Sequence, residues 1–265
     1  MTPTSDGEDT LHFHRMTSAA LISDLRRPKP LRLDGTSLFL DIDGTLAAFE
    51  ATPDAVFPTP RRTALLQRLG LRLGGRLAAI SGRDLASIDR ILAASVRAAA
   101  GVHGLERRRP DGEVLKASAH PALASARMQA ETFAATRPGV LVEDKGLAFA
   151  LHYRQAPDMA GAALALAARL AEEGLAVQPG DGVVELKTPG ADKGVSVRAF
   201  MGEAPFSTGA PVFVGDDLTD EDAFAAVEAL GGFGVLVGEP RPTLARYRLT
   251  GVEDVLAWLE HSLET

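Results

Sequence analysis

Apolar residues fall in short unbroken runs toward both ends of this chain and mix with polar ones in its middle. Residues 38–42, 76–80, 98–102, 211–214 and 233–237 show no two-residue alternation, the pattern of strands buried on both faces of a parallel sheet. Helical segments lie between several of them. Thr59-Pro60 sets a capping hydroxyl before a proline at the first helical position, opening a helix through about residue 71. Residues 84–94 and 220–230 read likewise, with Gly231 as a stop. Strands alternating with helices predict an α/β fold whose active residues lie at the C-terminal ends of the strands.

The middle follows a different pattern. Residues 105–116 are polar, with an Asp111-Gly112 turn between two strand-like pieces. A helix is expected over 121–136, then a hairpin of 140–143 and 147–153 around Lys145-Gly146. An alanine-leucine helix over 159–173 precedes two strands, 176–178 and 183–186, around Pro179-Gly-Asp-Gly182. Hairpin-paired strands with two helices predict a separate α+β module. The expected organisation is a polar lead-in (1–30), the first half of a core domain (31–105), an inserted domain (106–188) and the second half of the core (189–265). Within the lead-in a short helix near 18–26 is closed by Pro28-Lys-Pro30.

Composition narrows the function classes. The 265 residues are 46% hydrophobic and 24% charged, ordinary for a globular protein. No apolar run is long enough to cross a bilayer, and the polar N-terminus lacks the apolar core of a signal peptide. A net charge of −7 argues against nucleic-acid or anionic-lipid partners. The absence of cysteine removes disulfides and thiolate chemistry and fits a cytoplasmic location.

Four polar segments carry candidate chemistry. Asp41-Ile-Asp-Gly-Thr45 ends the first apolar run in two carboxylates, which share a face if the strand continues through them. A carboxylate nucleophile attacking phosphorus needs a cation to hold the phosphate and a second acid for the leaving oxygen. An Asp pair that only caps the next turn is the plain alternative, and the motif alone does not choose. Ser81-Gly-Arg83 places a hydroxyl and free amides ahead of a helix, a phosphate-oxygen site or simply a cap. Asp192-Lys-Gly194 opens a helix with a lysine that the helix dipole disfavours, so either function or a solvent-facing position accounts for it. Five acids crowd residues 216–222 at the end of another apolar run, and a hard divalent cation is the economical way to neutralise them. Asp216, nearest the strand end, is the best candidate ligand, with Asp217 and Asp220 standing behind it. Lys187 reads as solvated.

Taken in order, Asp41/Asp43, Ser81, Lys193 and Asp216/Asp217 resemble the four motifs of the haloacid dehalogenase superfamily of phosphatases. The long stretch between Ser81 and Lys193 is where that superfamily inserts its larger, type C2, cap. Gly101-Val-His-Gly-Leu-Glu106, Glu143-Asp-Lys145, His152-Tyr-Arg154, Glu185 and Gly215-Asp-Asp-Leu-Thr-Asp-Glu221 narrow the resemblance to the trehalose-6-phosphate phosphatase family, over about 35–260. The resemblance implies a Rossmann-like core with an α+β cap, and hydrolysis of a sugar phosphate as the last step of trehalose biosynthesis. It implies that Asp41 is the nucleophile forming an aspartyl-phosphate, with Asp43 as acid and then base. Thr45, Ser81 and Lys193 would hold the phosphoryl oxygens. Mg²⁺ would be bound by the Asp41 carboxylate, the Asp43 main-chain carbonyl and Asp216. Glu143, Lys145 and Glu185 are implied as sugar contacts, with Arg83, His103 and Arg154 as further candidates. Hinges for cap closure are expected near 104–106 and 188–190. No partner protein is needed for such chemistry.

Two other readings stay open. Another sugar phosphatase of the superfamily, acting on sucrose phosphate or a hexose phosphate, would share the core motifs. A non-catalytic phospho-acceptor or sugar-phosphate sensor has no use for the second acid, Asp43. A kinase of the phosphate-loop type is excluded, for its glycine-rich Lys-Ser/Thr loop is missing.

Overall fold

The computed structural model describes residues 25–50, 52–180 and 182–265. The helix expected near 18–26 lies outside the described residues except at 25–26, which adopt no regular structure. Residues 26–31 are tethered by hydrogen bonds: Arg248 N donates to Arg26 O, Trp258 Nε1 to Lys29 O at 3.0 Å, and Leu31 N to Ser262 Oγ at 2.9 Å.

The first half of the chain runs β1 (Thr36–Leu40), α1 (Pro60–Arg72), β2 (Leu77–Ile80), α2 (Leu85–Ile91), β3 (Ala98–Gly101), β4 (Glu106–Arg108) and β5 (Val114–Lys116). Thr59 caps α1 and Asp84 caps α2, each side chain accepting from a backbone N–H three residues on. Helix α2 ends earlier than expected because Ala93 and Ala94 turn into the left-handed region. Next come α3 (Leu123–Ala135), β6 (Leu141–Asp144), β7 (Ala148–His152), α4 (Ala160–Ala171), β8 (Ala176–Gly180) and β9 (Val183–Lys187). The chain closes with α5 (Lys193–Met201), β10 (Ala210–Gly215), α6 (Glu221–Ala229), β11 (Phe233–Val237), β12 (Tyr247–Leu249) and α7 (Val252–Glu264).

Two sheets result. The larger has the order β12-β11-β10-β1-β2-β3-β4-β5, parallel from β12 through β3. Its central strand explains the unbroken apolar runs. Leu38 and Leu40 enter the cluster formed with α1, α2 and α7, while Phe39 enters the opposite cluster under α5 and α6. Phe39 stacks on Phe206 at 5.3 Å, and burying each such ring contributes about 1.5–3 kcal/mol. The strand order reverses between β1 and β10, so ligands are expected beyond the C-terminal ends of these two strands.

The boundary expected at residue 106 does not coincide with a sheet boundary. Strand β4 pairs antiparallel with β3, and β5 with β4, so both extend the larger sheet. The smaller sheet, β6-β7-β9-β8, begins only after Lys116. Its alternation is clear. Phe149, Leu151, Val184 and Leu186 pack under α3 and α4, leaving Ala148, Ala150, Glu185 and Lys187 on the other face. That face is covered at its neck by Val102, Leu105 and Ala191. Lys187, expected to be solvated, is therefore buried, donating to Gln178 Oε1 at 2.8 Å and Ala191 O at 3.2 Å. Among the described residues no helix is long and apolar enough to cross a membrane.

Candidate active site

Strand β1 stops at Leu40, one residue before the first motif carboxylate. A tight loop, not the pleat of a strand, therefore sets Asp41 and Asp43. Asp41 N still donates to Val214 O at 3.0 Å, and then the amides of Thr45, Leu46 and Ala47 all turn back onto Ile42 O. Gly44 is required in this loop. Its φ is +75°, and a Cβ there would lie 2.0 Å from Asp216 Oδ2. Arg62, which the sequence reading missed, pins the outgoing chain from beneath, donating to Leu46 O, Phe57 O and Ile91 O. An arginine inside the apolar stripe of α1 was the available signal.

The buried Asp41 carboxylate meets the Lys193 ammonium, with Nζ 3.0 Å from Asp41 Oδ2 and 2.6 Å from Asp220 Oδ1. Against the cost of burial, these two acids hold the lysine well above its ordinary pKa. They also explain how a lysine sits at the first position of α5, where the dipole opposes it. Oxygens of Asp41, Asp216 and Asp220 lie within 4.8 Å of one another. Burial raises the Asp41 pKa, and burial with the charge of Asp220 pushes Asp216 up to about 7. The cluster is thus short of positive charge, and its all-oxygen donor set fits a hard divalent cation. The fit is best at Asp41 and Asp216, with Thr45 Oγ1 3.2 Å from Asp216 Oδ1. Asp220 is less suited to ligate because both its oxygens are engaged, one by Lys193 and the other by Asp217 N at 2.9 Å. Asp217 is exposed and accepts from Leu218 N, forming with Asp220 a capping box for the turn ahead of α6. Arg241, also missed, donates to the carbonyls of Asp216 and Asp217.

Ser81 follows β2 beside this cluster, and its Oγ accepts from Arg83 N at 3.3 Å. Arg83 forms a two-pronged pair with Asp43, Nε to Oδ2 at 2.6 Å and Nη2 to Oδ1 at 2.7 Å. The expected sugar contacts approach from the smaller sheet. Lys145 Nζ donates to Glu185 Oε2 at 2.5 Å, and Glu143 Oε2 lies 2.9 Å from His152 Nε2. Glu143 and Lys145 are near enough to Arg83 for their charges to act on it. Against burial, Lys145 and His103 hold the Glu185 carboxyl down to about 2. Arg154 stands exposed past the opposite end of β7 from Lys145, against Gly182.

Comparison with known proteins gives the family. The family model described as trehalose-phosphatase matches residues 39–253. Trehalose-6-phosphate phosphatase of Escherichia coli (strain K12) is 44% identical over 225 residues, 84% of either chain. The C-terminal domain of C. albicans trehalose-6-phosphate phosphatase superposes with a TM-score of 0.77 at 20% identity, covering 90% of this chain and 99% of that one. A phosphatase of the haloalkanoate (HAD) superfamily from Bacteroides thetaiotaomicron gives a TM-score of 0.59 at 17% identity over 92% of this chain and 99% of that one; these two structures share the fold. On the extent of the match and the identity of its relatives, the chain belongs to the trehalose-phosphatase family and is a phosphoric monoester hydrolase.

Proposed function

We propose that this enzyme hydrolyses trehalose 6-phosphate to trehalose and phosphate through an aspartyl-phosphate on Asp41. The observation that carries the reading is the buried Asp41 carboxylate facing Lys193, with Asp216 and Asp220 beside it. An Asp41 oxygen attacks phosphorus while the bond to the sugar oxygen breaks, and Asp43 delivers its proton to that oxygen. Asp43, now a carboxylate, takes a proton from water attacking the same phosphorus, which frees Asp41 and releases phosphate. To act as acid, Asp43 exchanges its pair with Arg83 for the leaving oxygen. Lys193, Ser81 and Thr45 hold the phosphoryl oxygens. Mg²⁺, held by the Asp41 and Asp216 carboxylates and the Asp43 carbonyl, would supply the positive charge that the cluster lacks.

The smaller sheet acts as the cap. Glu143, Lys145 and Glu185 offer charged partners to the disaccharide hydroxyls, and closure keeps stray water from the phosphoenzyme. The test is phosphate release from trehalose 6-phosphate, sucrose phosphate, glucose 6-phosphate and mannose 6-phosphate, with and without EDTA. Trehalose 6-phosphate should be the preferred substrate and EDTA should stop turnover. Activity confined to monosaccharide phosphates would sink the substrate, and full activity in EDTA would sink the metal. Asp41→Asn should abolish turnover with an unchanged circular dichroism spectrum; retained turnover would point to another nucleophile.

A further inference from the structure

Val102 and His103 both take left-handed backbone conformations, with φ of 48° and 53°. Non-glycine residues seldom do so, β-branched ones least of all, and such strain gathers at functional sites. Here it is held by specific contacts. Val102 N donates to Arg83 O at 2.9 Å and His103 N to Ser81 O at 3.0 Å, while the Val102 side chain packs with Leu105, Leu147 and Ala148. The effect is to press the buried imidazole onto Gly82, where a Cβ would stand 2.7 Å from His103 Nε2. The glycine of Ser81-Gly82-Arg83 thus leaves the space that the ring occupies.

On its other side the same nitrogen lies 3.5 Å from Glu185 Oε1. That oxygen is buried and has no hydrogen-bond partner, although Lys145 occupies the other one. The separation is too long for a good N–H···O bond, and a small closing movement of the sheet would make one. Burial keeps the imidazole below its ordinary pKa despite Glu185, and in its neutral form the ring still carries one N–H to donate.

We infer that His103 is a positioning residue for sugar recognition: on substrate binding its Nε2–H closes onto Glu185 Oε1 and orients that carboxylate toward the disaccharide hydroxyls. The oxygen has two lone pairs and accepts from both. His103 thereby ties the loop that holds phosphate to the face that reads the sugar. This inference rests on the substrate and cap roles proposed above.

The test compares trehalose 6-phosphate with p-nitrophenyl phosphate, which offers no sugar. His103→Asn suits the left-handed backbone but does not reach the position of Nε2, whereas His103→Gln does. His103→Asn should raise KM for trehalose 6-phosphate roughly tenfold or more, the loss expected for one hydrogen bond to a charged group. Its kcat, and its kcat/KM on p-nitrophenyl phosphate, should stay within about threefold of wild type. His103→Gln should recover most of the KM. In a Glu185→Gln background, His103→Asn should add little further. Equal losses on both substrates, no rescue by glutamine, or additive effects with Glu185→Gln would overturn the inference. Failure of the substrate assignment shows separately, as a wild type that does not prefer trehalose 6-phosphate. The same variants are then run on the sugar phosphate it does prefer. Should His103→Asn not fold, as circular dichroism would reveal, His103→Ala takes its place in the cycle, with the same outcomes for and against the inference.

Discussion

Replacing Lys193 with methionine removes a charge from the candidate active site while nearly keeping the volume of the side chain. Its ammonium lies 2.6 Å from Asp220 and 3.0 Å from Asp41, and all three groups are buried. The variant would leave three neighbouring carboxylates, Asp216 included, without a counter-charge. Removing one partner of a buried ion pair costs about 3–5 kcal/mol. At roughly 2–4 °C per kcal/mol for a chain of this size, the melting temperature in EDTA should fall by about 10 °C. The sharper test is a change of sign. In the wild-type background Asp220→Asn takes a carboxylate from the lysine and should destabilise by about 1–3 kcal/mol. In the Lys193→Met background it removes one of the repelling charges and should stabilise. Thermal unfolding of the four proteins in EDTA, followed by circular dichroism, reads both effects. A Lys193→Met protein that melts with the wild type, or an Asp220→Asn change that destabilises both backgrounds, would refute the reasoning. Turnover of Lys193→Met should fall by at least about a hundredfold.

Gly44→Ala forces a methyl group to 2.0 Å from the Asp216 carboxylate, and the displaced acid should cost on the order of a hundredfold in kcat/KM; an active variant would contradict the geometry. Arg62→Lys cannot reach all three of the carbonyls that the guanidinium holds. It should lose about 2 kcal/mol in urea titrations, and a loss under about 0.5 kcal/mol would show that the pin is dispensable. Glu185 titrates at about 2 when folded, below the unfolded value of about 4.3. A depressed carboxyl contributes stability that is complete above the unfolded value and lost as pH falls toward the folded one. Unfolding free energy measured from pH 6 down should therefore begin to drop near about pH 4.3, a component that Glu185→Gln should lack; parallel curves for the two proteins would refute it. Saturating Mg²⁺, at about 100 times its Kd, should raise stability by about 2.7 kcal/mol. Asp216→Ala should abolish most of that gain, and equal gains in both proteins would place the cation elsewhere.

Local patterns carried the layers of this fold but not all of its pairings. Residues 38–40 read correctly as a doubly buried strand because Leu38 and Leu40 face one layer of helices and Phe39 the other. By contrast, two short polar strands around Asp111-Gly112 look the same whichever sheet they join. Only the antiparallel pairing of β4 with β3, Gly101 opposite Glu106, shows that they extend the large one. Lys187 was misread for a similar reason: a lysine on the polar face of a sheet looks solvated until the neck covers it. Within the site, the motif residues were visible as chemistry at strand ends, whereas their partners were not. Which of five clustered acids would hold Lys193 depended on the turn that puts Asp220 inside and Asp217 outside. The pairing of Arg83 with Asp43 joins two loops that only the parallel packing of β1 against β2 brings together.

The chain leaves the large sheet just past Lys116 and leaves the small one at Lys187, and these two points are stitched together. His120 N donates to Thr188 Oγ1 at 3.0 Å, and Ala117 N to Leu105 O at 2.8 Å. An insertion whose two ends meet asks little loop entropy of its host, whatever its length. The two parts are therefore free to evolve at different rates: residues 118–187 can be rebuilt, lengthened or exchanged by descent while Asp41, Lys193 and Asp216 keep their places on the sheet.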